Sequence, residues 1–131
     1  MNAERPWRWV DRKLLELLHD ESLAMHGGAS GIRDEGLLES AVARAANLAS
    51  YGEPDLADLA ACYAFGLAKN HPFVDGNKRA AFLSVGLFLG LNGYRLTASQ
   101  AEATVAVFGL AAGDIDEPTF ARWLRERVAP R

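Results

Sequence analysis

Residues 71–93 read HPFVDGNKRAAFLSVGLFLGLNG, a short polar turn followed by a long apolar stretch. Between residues 80 and 93, the only polar side chains are those of Ser84 and Asn92. A helix that is hydrophobic on nearly all sides is normally buried. We therefore predict a helix over residues 77–92 that runs through the core, with the polar turn at the point where this helix leaves the core.

The polar turn has the features of an anion site. The first N–H groups of a helix have no partner within the helix, and the helix dipole is positive at that end. Phosphate is the anion most often bound in this way. Gly76 allows a ligand to approach the backbone closely, and Asn77 can cap the helix or orient the ligand. Lys78 and Arg79 add positive charge, the first as a mobile point charge and the second as a planar fork.

Two further residues of the turn indicate transfer chemistry. A neutral imidazole accepts a proton near neutral pH, which makes His71 the candidate general base. Asp75 would repel a bare phosphate unless a divalent cation lay between them, and oxygen ligands together with phosphates are typical of Mg²⁺. Pro72 is expected to hold His71 in an extended conformation, and Phe73 to anchor the turn in the core.

Each of these residues also has a purely structural interpretation. A single histidine is more often a surface or structural residue than a base, and Gly-Asn before a helix is often only a turn. A Lys-Arg pair is usually solvated. The combination favours a functional site, because a structural turn has no need for a base, a carboxylate and two cations beside free helix-end amides. A P-loop kinase is disfavoured, because the chain has no Gly-x-x-x-x-Gly-Lys-Ser/Thr pattern.

Residues 71–79 resemble the motif of the Fic/Doc family, H-x-F-x-[DE]-[GA]-N-[GK]-R, and every specified position is filled. Lys78 resembles the Doc toxin branch, because the Fic branch has glycine at that position. The Fic branch also has a second arginine three residues after the first, where this chain has Phe82. The segment GIRDEGLLESA, residues 31–41, is also similar to small Doc-type proteins.

The resemblance implies an enzyme that uses ATP and Mg²⁺ to modify a hydroxyl group of another protein. In the Doc branch the enzyme is a kinase that phosphorylates elongation factor Tu, and a cognate antitoxin protein restrains it. The chain has no Ser/Thr-x-x-x-Glu-Gly/Asn inhibitory pattern of its own. The implied roles are a base at His71, a metal ligand at Asp75, phosphate binding at Gly76 and Asn77, and both phosphate binding and charge stabilisation at Lys78 and Arg79.

Two alternatives remain open at this point. The first is protein adenylylation as in the Fic branch, with the same base and anion site but with AMP transferred instead of phosphate. The second is a non-catalytic helical binding module in which the turn only fixes an anion. We expect the glycine-rich loop, residues 27–33, to be mobile. In the family, a flap before the motif helps to hold the target, and residues 30–34, which overlap this loop, are the candidate segment for that role.

Composition bounds the remaining possibilities. A chain of 131 residues is expected to form one domain, residues 1–131. The lone cysteine, Cys62, allows no internal disulfide and is typical of a core residue in a reducing compartment. A net charge of −3 argues against direct nucleic-acid binding. The first nine residues do not resemble a secretory signal, and the apolar run is too short to cross a membrane. We expect a cytoplasmic protein without a membrane partner.

Helical periodicity predicts an all-α bundle of about six helices around the buried fourth helix. The first helix is expected over residues 10–26. The second should start after a cap at Asp34 and end at about residue 48, and the third should run from residue 56 to just before His71. The fifth should start at a Ser99–Glu102 capping box and end at Gly113, and the sixth should start at residues 116–118.

We also predict which side chains these helices bury. The inner face of the first helix is assigned to Val10, Leu14, Leu15, Leu17, Leu18 and Met25. The inner face of the fifth is assigned to Ala101, Val105, Phe108 and Ala112, and that of the sixth to Phe120, Trp123, Leu124 and Val128. Gly86 and Gly90 are expected to let another helix pack closely against the fourth.

Overall fold

The structure, a computed structural model, describes residues 7–131 and confirms the predicted all-α bundle of six helices. The helices are α1 (Arg12–His26), α2 (Glu35–Tyr51), α3 (Leu56–Asn70), α4 (Asn77–Leu91), α5 (Gln100–Ala112) and α6 (Glu117–Arg125). A small antiparallel sheet pairs β1 (Tyr94–Leu96) with β2 (Val128–Pro130). Among the described residues, no helix is both long and apolar enough to cross a membrane.

Side-chain caps fix where most of the helices begin. The N-caps of α1, α2, α3, α5 and α6 each accept a hydrogen bond from a backbone N–H of the first turn, and these caps are Asp11, Asp34, Asp55, Ser99 and Asp116. The predicted capping box at Ser99 is present. Helix α4 differs from the other helices of the described chain, because its N-cap is Gly76 and no side chain caps it.

Helix α3 is the most completely buried helix of the bundle. Its residues from Ala57 to Ala64 are all buried except Asp58, and it packs against α2, α4 and α6. Helix α4 lies beside it and keeps Lys78 and Gly86 exposed. The small side chains of its alanines allow neighbouring helices to pack closely on several sides.

The predicted inner face of α1 is only partly correct. Val10 and Leu15 are buried as predicted and Leu18 is half-buried, but Leu14, Leu17 and Met25 are exposed. The buried face of the helix consists of Leu15, His19, Ser22 and Leu23. These buried residues have regular helical spacing, but two of them are polar, and a search for apolar residues therefore misses the face. The reason for burying a histidine here is a hydrogen bond to the motif turn.

The predicted inner face of α5 is also wrong. Val105 is 73 % exposed and Phe108 54 % exposed, while the buried side chains are Ala103, Ala106, Val107 and Leu110. Nearly every residue of α5 is apolar, so the sequence offers two helical faces of similar hydrophobicity and cannot distinguish them. The correction matters for function because it places Phe108 on the surface beside the motif turn.

Two smaller predictions are corrected by the structure. Val128 does not continue α6 but pairs with Leu96 in the sheet, and no strand was predicted at either position. Gly86 and Gly90 receive no neighbouring helix, because a Cβ atom built at either position would have no other atom within 4 Å. By contrast, Cys62 is a buried core residue as predicted.

Candidate functional site

An open cavity of about 540 Å³ lies over the motif turn, between the start of α4 and the side of α5. All six residues predicted for the site line it, namely His71, Asp75, Gly76, Asn77, Lys78 and Arg79. The opposite wall comes from Phe82 of α4 and from Thr104, Val107 and Phe108 of α5. The cavity therefore has a polar, positively charged floor and a mostly apolar wall.

The floor contains the exposed N-terminal amides of α4. The first hydrogen bond of this helix runs from the N–H of Ala80 to the carbonyl of Gly76 at 2.9 Å. No described residue accepts a hydrogen bond from the N–H groups of Asn77, Lys78 or Arg79. Three unpaired donors at the positive end of a helix dipole are an arrangement that favours the binding of an anion.

Gly76 occupies a position where a side chain does not fit. Its backbone is left-handed, with φ 73° and ψ 28°. A Cβ atom at this position would lie 2.8 Å from Cε1 of His19, a buried residue of α1. The N–H of Gly76 donates to Oδ1 of Asp75 at 2.8 Å. Glycine thus satisfies both the backbone conformation and the close contact with the core.

Asn77 supports the turn with its side chain. Its Oδ1 accepts from the N–H of Phe73 at 2.9 Å, and its Nδ2 donates to the carbonyl of Phe73 at 3.1 Å. Phe73 is buried, as expected for the anchor of the turn. Because both ends of the Asn77 amide hold the Phe73 backbone, the group of Asn77 that is left for a ligand is its backbone N–H.

His71 adopts a conformation that the sequence did not predict. It ends α3 in the left-handed region, with φ 51° and ψ 54°, instead of the extended conformation expected before a proline. The guanidinium of Arg33 donates to the carbonyls of His71 at 2.6 Å and Asn70 at 2.9 Å. This cap holds the end of α3 while the chain turns sharply into the motif. The His71 ring lines the cavity and has no hydrogen-bond partner among the described residues.

The loop before α2 is tied to the motif turn. The N–H of Val74 donates to the carbonyl of Gly31 at 3.0 Å, and the N–H of Arg33 donates to the carbonyl of Pro72 at 2.7 Å. Ile32 and Phe73 form an isolated antiparallel bridge. The C-terminal part of the loop that we expected to be mobile is therefore bonded alongside the motif. Its use as a flap for a target stays a prediction.

Asp75 supplies one carboxylate to the edge of the cavity. Besides the Gly76 contact, its Oδ2 accepts from the N–H of Ala29 at 3.2 Å. The described residues contain no cluster of three or more His, Cys, Asp or Glu side chains that could hold a metal. A Mg²⁺ ion at Asp75 would therefore take its other ligands from phosphate oxygens and water, which is how Mg²⁺ is usually bound at nucleotide sites.

The two cations of the motif lie against aromatic rings. The Nζ of Lys78 is 5.1 Å from the ring centroid of Phe108, and Cζ of Arg79 is 5.8 Å from that of Phe82. Arg79 also has Nη2 3.5 Å from Nε2 of His26. Neither cation forms an ion pair with a described carboxylate. Both positive charges are therefore available to an anion in the cavity.

Sequence reasoning missed several residues that complete the site. Arg33 caps α3, His19 supports Gly76 from below, and Phe108 contacts Lys78. A regular spacing on the buried face of α1 was the signal available for His19. Arg33 and Phe108 gave no local signal, because their roles depend on which segments lie next to them.

The comparisons with known proteins agree with the geometry. The sequence profile of the Fic/DOC family matches residues 9–89. The chain is 35% identical over 119 residues to "Protein kinase doc" of Escherichia phage P1, covering 90% of this chain and 94% of that protein. It is 43% identical over 93 residues to "Toxin Doc" of Mycolicibacterium smegmatis, covering 69% of this chain and 68% of that protein.

Proposed function

The chain belongs to the Fic/DOC family, and on that premise we propose that it is a Doc-type toxin that acts as a protein kinase. In this proposal it transfers the γ-phosphate of ATP to a Ser or Thr hydroxyl of a translation factor, elongation factor Tu. A cognate antitoxin protein restrains it. The names of the two relatives support the kinase and toxin assignments, and the identity of the target is inferred from the resemblance of the motif.

The observation that carries the proposal is the uncapped start of α4. In each of the other helices of the described chain, a capping side chain accepts a hydrogen bond from one N–H of the first turn. Residues 77–79 of α4 have no such cap and line a cavity that also contains two cations without an ion pair. A bound phosphate would accept hydrogen bonds from the N–H groups of these residues, and glycine at the cap position supplies no side chain that would compete with it for them.

The reaction assigns a role to each residue of the turn. The His71 imidazole accepts the proton of the target hydroxyl as its oxygen attacks the γ-phosphorus. The bond from that phosphorus to the bridging oxygen breaks, and ADP leaves. The α4 amides, Lys78 and Arg79 hold the phosphate oxygens and stabilise their charge in the transition state. A general base contributes about 100- to 10,000-fold in rate, so His71 is the residue with the most decisive test.

Asp75 is the residue that would hold Mg²⁺. One carboxylate together with phosphate oxygens and water satisfies the preference of this ion for hard oxygen ligands. The ion would offset the repulsion between Asp75 and the phosphates and reduce the charge on the transferring group.

The cavity wall favours the γ-phosphate as the transferred group. Phe82 stands where the Fic branch has a second arginine, so this chain has no cation there for a deeply seated terminal phosphate. The lysine at position 78 adds positive charge at the N-terminus of α4. The phosphates therefore end near His71, and the apolar wall of Phe82, Val107 and Phe108 is left for the nucleoside.

The decisive experiment follows the label of the nucleotide. Purified protein is incubated with elongation factor Tu and Mg²⁺, using ATP labelled at either the γ- or the α-phosphate, and the labelled residue is identified by mass spectrometry. We expect label from the γ position alone. Protein-bound label from the α position would replace the kinase assignment with adenylylation. No transfer to elongation factor Tu, but transfer to another protein of a cell lysate, would refute the target.

Restraint by an antitoxin has a separate test. The protein should co-purify with a small partner when both genes are expressed from their native operon, and the partner should abolish label transfer. Expression of the chain alone should arrest growth of a sensitive host. A soluble, harmless chain at high expression would contradict the toxin assignment.

A further inference from the structure

His19 is a buried polar residue directly beneath the motif turn. The residue is 1 % exposed, and its ring lies 4.2 Å from the ring of Phe73, measured between centroids. Its Nε2 is 2.9 Å from the carbonyl oxygen of Asp75. Its Nδ1 is buried and has no hydrogen-bond partner among the described residues. No part of the mechanism above uses this side chain.

The partner of His19 determines whether its Nε2 carries a proton. A carbonyl oxygen only accepts hydrogen bonds, so Nε2 must carry a proton. An unpaired polar atom in the core is unfavourable relative to a paired one. A residue of similar size without polar atoms, such as leucine, would avoid this penalty. The hydrogen bond to Asp75 is therefore the feature that distinguishes histidine from an apolar residue at this position.

The hydrogen bond controls the direction of a whole peptide group. The carbonyl of Asp75 and the N–H of Gly76 belong to one planar trans peptide, so they point in opposite directions. When His19 holds the oxygen toward the core, the N–H of Gly76 must point outward, where it donates to the Asp75 carboxylate at 2.8 Å. The same ring forms the surface against which Gly76 packs, since a Cβ at residue 76 would lie 2.8 Å from His19 Cε1.

We propose that His19 is a positioning residue of this site, and that its Nε2–H sets the orientation of the Asp75–Gly76 peptide from which α4 starts. His19 acts through that peptide and does not touch the ligand. Its hydrogen bond aims the free amides of residues 77–79 and the Asp75 carboxylate into the cavity. The consequence for phosphate binding rests on the proposed function, whereas the consequence for the peptide does not.

The protonation of His19 can be measured in the wild-type protein. A long-range ¹H–¹⁵N spectrum should show a proton on Nε2 of His19. An Nε2 atom without a proton would overturn the proposal, because it would then be unable to donate to the carbonyl of Asp75. This readout needs neither a variant nor a ligand.

Two substitutions separate the donor from the bulk of the ring. His19→Gln can place its amide nitrogen near the position of Nε2, whereas His19→Asn is too short to reach the carbonyl. Leu15→Val is the matched control, since it loosens the same buried face of α1 and leaves the donor in place. The amide signals of residues 76–79 are followed while inorganic phosphate is titrated into each protein.

We expect the dissociation constant for phosphate to stay within about threefold of wild type for His19→Gln and Leu15→Val, and to rise about tenfold or more for His19→Asn. The rescue by glutamine is the result that a merely structural role would not produce. Wild-type affinity in a folded His19→Asn protein would refute the proposal, as would equal losses in the glutamine and asparagine variants.

Failure of the proposed function would look different. If the wild-type protein did not bind phosphate, the proposed anion site would be refuted. The role of His19 would still be tested by comparing the amide signals of Gly76 and Asn77 between wild type and variants without ligand. His19→Gln should then keep the wild-type positions and His19→Asn should shift them, and the opposite result would refute the role of His19. If His19→Asn did not fold, the proton on Nε2 in wild type and the signals of His19→Gln would still support or refute the role of His19.

Discussion

At the scale of single residues, His71 combines a reactive side chain with a strained backbone. A left-handed conformation costs a residue other than glycine about 1–2 kcal/mol. His71 is the one residue of this kind among the described non-glycine residues, and it also lines the cavity. Strain of this sort persists where the surroundings impose it, and here Arg33 and Pro72 hold the turn on both sides.

His71→Ala should fold like the wild-type protein and lose about 100- to 10,000-fold in the rate of label transfer, because the general base is removed. His71→Gly is the informative companion. Glycine relieves the left-handed strain, so this variant should be about 1 kcal/mol more stable than the alanine variant and equally inactive. The rate is measured with labelled ATP and stability with urea. A folded alanine variant with full activity would show that His71 is not the base.

Arg33 illustrates how a residue outside the motif supports the turn. Its guanidinium satisfies two carbonyls at the end of α3, where the helix dipole also favours a cation. We expect Arg33→Leu to lower the free energy of unfolding by about 1–2 kcal/mol, less than the full value of two charged hydrogen bonds because the site is exposed.

Urea denaturation measures the effect, with Arg95→Leu as control. Arg95 is exposed in β1 and has no hydrogen bond or ion pair through its side chain in the described structure. Its loss should change stability by less than about 0.5 kcal/mol. Equal effects of the two substitutions would mean that the α3 cap does not stabilise the protein.

At the scale of elements, close helix packing depends on glycine in one helix but not in another. Gly66 of α3 lies against α2, and a Cβ atom there would be 3.1 Å from Cα of Ala41 and 3.1 Å from Cδ of Arg44. Arg44 has little freedom to move, because it donates to the carbonyl of Cys62 at 2.9 Å and pairs with Glu117 at 2.9 Å. Gly86 of α4 has open space around it.

The two glycines should therefore respond to alanine with opposite signs. Gly86→Ala should stabilise the protein by up to about 1 kcal/mol, the difference in helix propensity between the two residues. Gly66→Ala gains the same propensity but forces α2 and α3 apart, and overpacking of this kind costs about 1–3 kcal/mol. Thermal and urea unfolding of both variants give the comparison. A stabilised Gly66→Ala protein would show that α2 and α3 can move apart at little cost in free energy.

At the scale of the whole molecule, a buried cluster joins three helices. Arg44 of α2 bridges the backbone of Cys62 in α3 and the carboxylate of Glu117 in α6. Burial, and to a lesser extent the nearby Glu117 carboxylate, raises the pKa of the Cys62 thiol to about 12. Burial also raises the pKa of Tyr63, whose hydroxyl accepts a hydrogen bond from Val10. Both groups therefore stay protonated in the folded protein.

These shifts predict that the fold weakens in alkaline solution. The thiol of the unfolded chain loses its proton above its ordinary pKa of 9.0, whereas the folded thiol keeps it up to about 12. The folded state thus binds more protons in this window, and its stability falls as the pH rises through it, by up to about 1.4 kcal/mol per pH unit. Stability is measured by urea unfolding between pH 8 and pH 11, that is, from roughly one unit below the unfolded pKa upward.

Cys62→Ala provides the comparison. The variant should be less stable at every pH because it leaves a small cavity, but its stability should fall less steeply above the ordinary thiol pKa. The slope that remains belongs largely to Tyr63. Identical slopes in wild type and variant would mean that the thiol titrates normally in the folded protein.

The sequence alone determined the helices and placed the six predicted residues of the motif on one turn. Capping residues such as Asp34 and Ser99 act within one turn, so they can be read directly from neighbouring residues. The motif was equally local, since nine consecutive residues bring the base, the carboxylate and the cations together on one turn. The all-α class and the six helices followed from the same short-range patterns.

Only the tertiary structure decided which faces are buried and how the turn is held. Helix α5 is apolar on two sides, and the packing against α3 and α4 selects the side that leaves Phe108 at the cavity. The bonds from Arg33 to the end of α3 and from His19 to Asp75 join residues 38 and 56 positions apart in the chain. The sequence does not identify the partners in such contacts, because these depend on the final positions of separate segments.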